Sequence, residues 1–135
     1  MAGTVAAAML GLTAQSAMAA SAGISKSVSP GCRATVTLND TTSKASVTGK
    51  LTVGCSTGTV LVTPYISIFR DGSRVVDSKS PGLRQLGPGD AVNYTVHTAD
   101  AAGTQCYKAR LFVLVVTPLG EVDGSVTMDT VCVNT

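Results

Sequence analysis

Along most of this chain, apolar and polar residues alternate with a period of two, the signature of strands with one buried face. Arg33–Leu38 places Ala34, Val36 and Leu38 on one side, and Ala45–Cys55 does the same with Val47, Leu51 and Val53. Val60–Arg70 carries Val62, Ile66 and Ile68 on one face and Tyr65 and Phe69 on the other. Arg74–Asp77 is a short fragment, and Ala91–His97 groups Val92, Tyr94 and Val96. Cys106–Thr117 and Ser125–Val133 close the chain. No stretch beyond the N-terminal segment repeats apolar residues at helical spacing over three turns. Turn-forming residues punctuate the pattern at Asn39-Asp40, Arg70-Asp71-Gly72, Pro81-Gly82, Gly87-Pro88-Gly89-Asp90, Leu119-Gly120 and Asp123-Gly124. About seven short strands with such turns predict an all-β, antiparallel sandwich, and the same pattern also fits a small closed barrel.

Composition adds the compartment. Residues 1–19 lack charge, carry an apolar stretch from Val5 to Leu12, and end in the small-x-small triplet Ala17-Met18-Ala19. That reads as a secretory signal peptide with its cleavage site. The missing Lys/Arg region leaves its start open on the upstream side. The apolar stretch is too short to span a bilayer, which takes about 20 apolar residues. Residues 20–30 are expected to be a flexible mature N-terminus and 31–135 one β-sandwich domain. The net charge is +2, with lysines and arginines scattered singly. No nucleic-acid partner and no transmembrane segment in the mature chain are expected. The predicted location is secreted, extracellular.

Four cysteines in a secreted chain imply two disulfides, with three pairings open. If Ala34, Val36 and Leu38 lie opposite Val53, Leu51 and Gly49, Cys32 faces Cys55 at the open end of the hairpin. The same reasoning centres a second hairpin near Leu119 and sets Cys106 opposite Cys132. Cys32–Cys55 with Cys106–Cys132 is therefore favoured, and Cys55–Cys106 with Cys32–Cys132 is the competitor. Each favoured bridge closes a loop large enough to stabilise by about 3 kcal/mol.

The stretch Asp100-Ala-Ala-Gly-Thr-Gln-Cys-Tyr-Lys-Ala-Arg-Leu resembles the E–F corner and F strand of immunoglobulin-like and fibronectin type III-like domains. The resemblance implies that Tyr107, Ala109 and Leu111 point inward and that the Tyr107 hydroxyl anchors the corner. It lacks the core tryptophan and the Tyr-x-Cys of antibody domains, so it speaks for architecture and not for a role.

Catalytic motifs are not found. His97 is the sole imidazole and shares a polar face with Asn93 and Thr95, and no serine sits in a nucleophile elbow. The acids fall mostly in turns. No C-x2-C spacing suggests zinc, and no phosphate or dinucleotide loop occurs. Neither catalytic residues, nor a cofactor, nor a metal is expected. Asn39-Asp-Thr and Asn93-Tyr-Thr match the glycosylation pattern but are read as a turn and a strand asparagine.

The run Leu111-Phe-Val-Leu-Val-Val breaks the alternation. With Tyr107, Ala109, Leu111, Val113 and Val115 inward, the Leu119-centred register puts Phe112 opposite Val126 and Arg110 opposite Met128. It also buries Thr127 and Asp129, a conflict with two resolutions. A β-bulge near Val113–Val116 would bring Val126 and Met128 into the core. Alternatively Phe112, Leu114, Val126 and Met128, extended by Tyr65 and Phe69, form an outer apolar stripe that meets a partner. The predicted role is a non-enzymatic module that binds a protein or cell-envelope component, with a homodimer through the last hairpin as one form. Two alternatives are an inhibitor of an extracellular hydrolase, using the loop Ser78–Asp90 with Lys79, Pro81, Arg84 and Pro88, and a carrier of a small apolar ligand.

Overall fold

A computed structural model describes residues 21–41, 45–78 and 82–135. The signal segment lies outside the described residues. The strands are β1 (Ser21–Ser29), β2 (Cys32–Thr41), β3 (Ser46–Cys55), β4 (Val60–Arg70), β5 (Ser73–Asp77), β6 (Arg84–Leu86), β7 (Ala91–Ala99), β8 (Cys106–Val116), β9 (Val122–Asp129) and β10 (Val133–Asn134). They form two antiparallel sheets. One runs β1-β2-β3-β7; the other runs β9-β8-β4-β5, with β6 beside β4 and β10 beside β8.

The two inner faces meet in one apolar core. Val36, Leu38, Val47, Leu51 and Val53 supply one side, and Val62, Ile66, Ile68, Leu111 and Val113 the other, all with no exposed surface. Burying each such side chain contributes about 1.5–3 kcal/mol. The opposite sheet packs closely on Gly49, where an added Cβ would lie 3.2 Å from Ile66 and 3.3 Å from Ile68. Between β4 and β5, Asp71 (φ 50°) and Gly72 (φ 87°) make the two-residue left-handed turn that tight hairpins prefer. The Asp71 carboxylate accepts the Cys106 N–H at 2.9 Å, tying this hairpin tip to the start of β8.

Each of the seven expected segments carries strand, the last one interrupted, and the β2–β3 register is the one read from the cysteines, with Cys32 opposite Cys55 in an unbroken ladder. Both favoured disulfides form, with Cα–Cα distances of 4.0 Å for Cys32–Cys55 and 5.4 Å for Cys106–Cys132. Tyr107 is fully buried and its hydroxyl accepts the Ala101 N–H at 2.9 Å.

Three expectations need correction. The segment 20–30, read as a flexible lead-in, carries β1, which pairs along β2 from Ser21–Asn39 to Ser29–Cys32. Its side chains are mostly exposed, so the backbone ladder and not an apolar pattern defines it. Asp123-Gly124 is not a loop flank but the irregular start of β9, where the register shifts between Val122 and Gly124. The last strand is not continuous. Thr130 leaves the ladder with its hydroxyl accepting the Ala109 N–H at 3.0 Å, exposed Val131 follows, and pairing resumes at Val133–Tyr107. Cys132 therefore bridges to Cys106 without lying opposite it, since Asn134 occupies that register.

Removing the Tyr107 hydroxyl leaves the Ala101 N–H without its acceptor at a partly buried corner. The Tyr107→Phe variant is expected to lose about 1–3 kcal/mol in urea unfolding. A loss near zero would mean that the corner bond carries no stability.

Candidate interaction surface

The side of β8 that does not enter the core carries Lys108, Arg110, Phe112, Leu114 and Val116. On the neighbouring strand β4, the corresponding positions are Thr63, Tyr65, Ser67 and Phe69. The ladder sets Tyr65 opposite Phe112 and Ser67 opposite Arg110. On the other flank of β8, Thr127 lies opposite Phe112 and Asp129 opposite Arg110. Beyond β4, Asp77 lies opposite Ser67 and Arg74 opposite Phe69. The outer face of this sheet is thus a mixed aromatic and charged surface, with an open concavity of about 740 Å³ whose lining includes Tyr65, Ser67, Phe69, Arg110, Phe112 and Thr127.

Its geometry is ordered. The Tyr65 and Phe112 rings stand 6.0 Å apart with their planes tilted by 48°, within the centroid range of interacting aromatic pairs. The Arg110 guanidinium sits 4.7 Å over the Phe69 ring. Its Nε and Nη2 donate to Asp129 Oδ1 and Oδ2 at 2.7 and 3.1 Å, a bidentate pair. Arg74 and Asp77 form a looser pair at 3.6 Å. The Arg110 hydrogen bond holds the Asp129 carboxyl below the ordinary carboxylate range, against the smaller opposing effect of burial. The same bond raises Arg110.

Of the six residues expected in an outer stripe, Tyr65, Phe69, Phe112 and Leu114 lie on this face, all half-buried. Val126 and Met128 do not. The register shift in β9 places Val126 opposite Val113 and Met128 opposite Leu111. Met128 is only 4% exposed and Val126 packs against the core. The charged members, Arg110, Asp129, Arg74 and Asp77, were not singled out from sequence. Arg110 shares strand parity with Phe112, and that was the available signal. Asp129 becomes visible only once the register is known.

Elsewhere, His97 is exposed on the other sheet, its Nδ1 2.9 Å from Thr48 Oγ1. In the loop Ser78–Asp90, Lys79 and Pro81 lie outside the described residues. Arg84 donates to the Tyr94 hydroxyl at 3.1 Å, and the Gly87–Asp90 turn bonds to the backbone of Cys55. Among the described residues, no group of His, Cys, Asp and Glu is placed to hold a metal, and no helix is long and apolar enough to cross a membrane. Comparison with protein-family models, with curated proteins and with solved structures finds no match to this chain.

The Arg110–Asp129 pair is 47% and 42% exposed, so its contribution is below about 1 kcal/mol. Because the folded state lowers the Asp129 affinity for a proton, that contribution is present above about pH 4 and is lost as pH falls through the depressed folded value. Urea unfolding of Asp129→Asn is expected to show a small loss at neutral pH that shrinks in acid. A loss that grows in acid would contradict the assigned pair.

Proposed function

We propose that the protein is a small secreted, non-enzymatic module of immunoglobulin-like architecture that binds a protein or cell-envelope partner. The binding face is the outer side of the β9-β8-β4-β5 sheet. The strand order supports the architecture: β2-β3-β7 against β9-β8-β4-β5 follows the A-B-E and G-F-C-C′ arrangement of that fold, with β1 added at one edge. The buried Tyr107 hydroxyl, bonded back to the Ala101 N–H, resembles the tyrosine corner of such domains and supports the reading. Two disulfides fit an oxidising compartment.

The observation that carries the binding reading is the cluster of Tyr65, Phe69 and Phe112 around Arg110 in one concavity. Aromatic residues and arginine are the side chains enriched where proteins meet partners. Both phenylalanines of the chain stand on this one face.

A photo-crosslinking residue at Thr127, on this face, is compared with one at Thr95, exposed on the opposite sheet. Each variant is incubated with culture supernatant and with washed envelope of the producing cell. Adducts are expected from position 127 and not from 95. Equal labelling from both positions, or none from 127, would overturn the reading.

A further inference from the structure

The lining of this concavity has a composition that narrows its occupant. Three aromatic rings stand among two guanidinium groups, one carboxylate and three hydroxyl side chains, and no aliphatic residue takes part. A protein hot spot is well packed and fully desolvated, whereas this concavity is open to solvent. Here a hydroxyl or charge stands beside every ring: Ser67 lies between Tyr65 and Phe69 along β4, and Thr127 lies opposite Phe112. A pyranose ring matches such a wall. It offers a patch of C–H groups to a ring face and a rim of hydroxyls to donors and acceptors.

We infer that the concavity around Tyr65, Arg110 and Phe112 binds a short segment of a neutral polysaccharide. This rests on the binding-module reading and names its partner. Arg110 supplies the preorganised donor. It is held on one side by Asp129 and on another by the Phe69 ring. Two of its N–H groups go to Asp129, leaving about three of the five for a guest. The Tyr65, Ser67 and Thr127 hydroxyls add groups of both polarities, since each can donate and accept.

Charge and length agree with this guest. Arg110 is paired with Asp129 and Arg74 with Asp77, so neither guanidinium of the lining is left as an unpaired cation for an anionic chain. The lining spans four adjacent strands from Thr127 to Asp77, about 14 Å at ordinary strand spacing, which is the length of about three sugar rings. A second copy of the same face fits poorly, because two concave surfaces do not fill one another.

The test is affinity electrophoresis of the whole chain through gels holding a neutral β-glucan, xylan, mannan or dextran, with sedimentation onto chitin and cellulose. At least one polymer is expected to retard or bind the wild type, with little change between about 0.05 and 0.5 M salt. Phe112→Ala and Arg110→Lys are each expected to weaken that binding about tenfold or more, and Thr95→Ala to leave it unchanged. Arg110→Lys keeps the surface charge and folding while losing the planar fork, so it reports on the site should Phe112→Ala not fold. Absence of binding to every polymer, or full binding by Arg110→Lys, overturns the assignment. Position 127 crosslinking to a protein while no polymer binds would remove the polysaccharide and leave the binding module. Failure of both experiments would remove both.

Discussion

The 2.9 Å bond from the Ala101 N–H to the buried hydroxyl of Tyr107 fixes which way β8 faces. Side chains alternate strictly along a strand, so committing Tyr107 to the core commits Ala109, Leu111 and Val113 with it. It equally commits Lys108, Arg110, Phe112 and Leu114 to the outside. Since β8 lies between β4 on one flank and β9 and β10 on the other, its parity is passed to its neighbours through the ladders. Tyr65 and Phe69 are outside because Ile66 and Ile68 must meet Leu111 and Ala109 inside. The candidate site is thus the reverse side of a core decision made at one corner.

The β9 strand shows how competing terms were resolved. Without a slip, Thr127 and Asp129 would face the core opposite Leu111 and Ala109. Burying an unpaired carboxylate costs several kcal/mol, and leaving Met128 outside forgoes about 1.5–3 kcal/mol. One irregular residue near Asp123 disturbs one or two ladder bonds at an exposed strand end, worth about 1 kcal/mol each. The slip wins on magnitude. It also delivers Asp129 to the outer face, directly opposite Arg110, so the irregularity that completes the core also builds the ion pair of the binding face.

This explains what was legible. The β2–β3 hairpin could be read to the residue because both strands alternate cleanly and the cysteines share their register. The inward set of β8 followed from Tyr107 in the same way. β1 was invisible because an edge strand held by backbone bonds leaves little trace in side-chain pattern. The placement of Val126 and Met128 was ambiguous because a two-strand register cannot be read through an irregularity whose cost is set by the other strands. The Arg110–Asp129 contact inherits that ambiguity, being a long-range consequence of the slip and not a local motif.

Met128 is the only methionine past the N-terminal segment and is among the side chains most easily oxidised, so its reactivity reports the parity of the last hairpin. Hydroxyl-radical footprinting of the folded protein, scored against the urea-unfolded chain, tests the central claim most directly. Met128, 4% exposed, is expected to be strongly protected while Tyr65 and Phe112 are modified. Oxidation of Met128 at its unfolded rate with Phe112 protected would reverse the two faces and contradict the account.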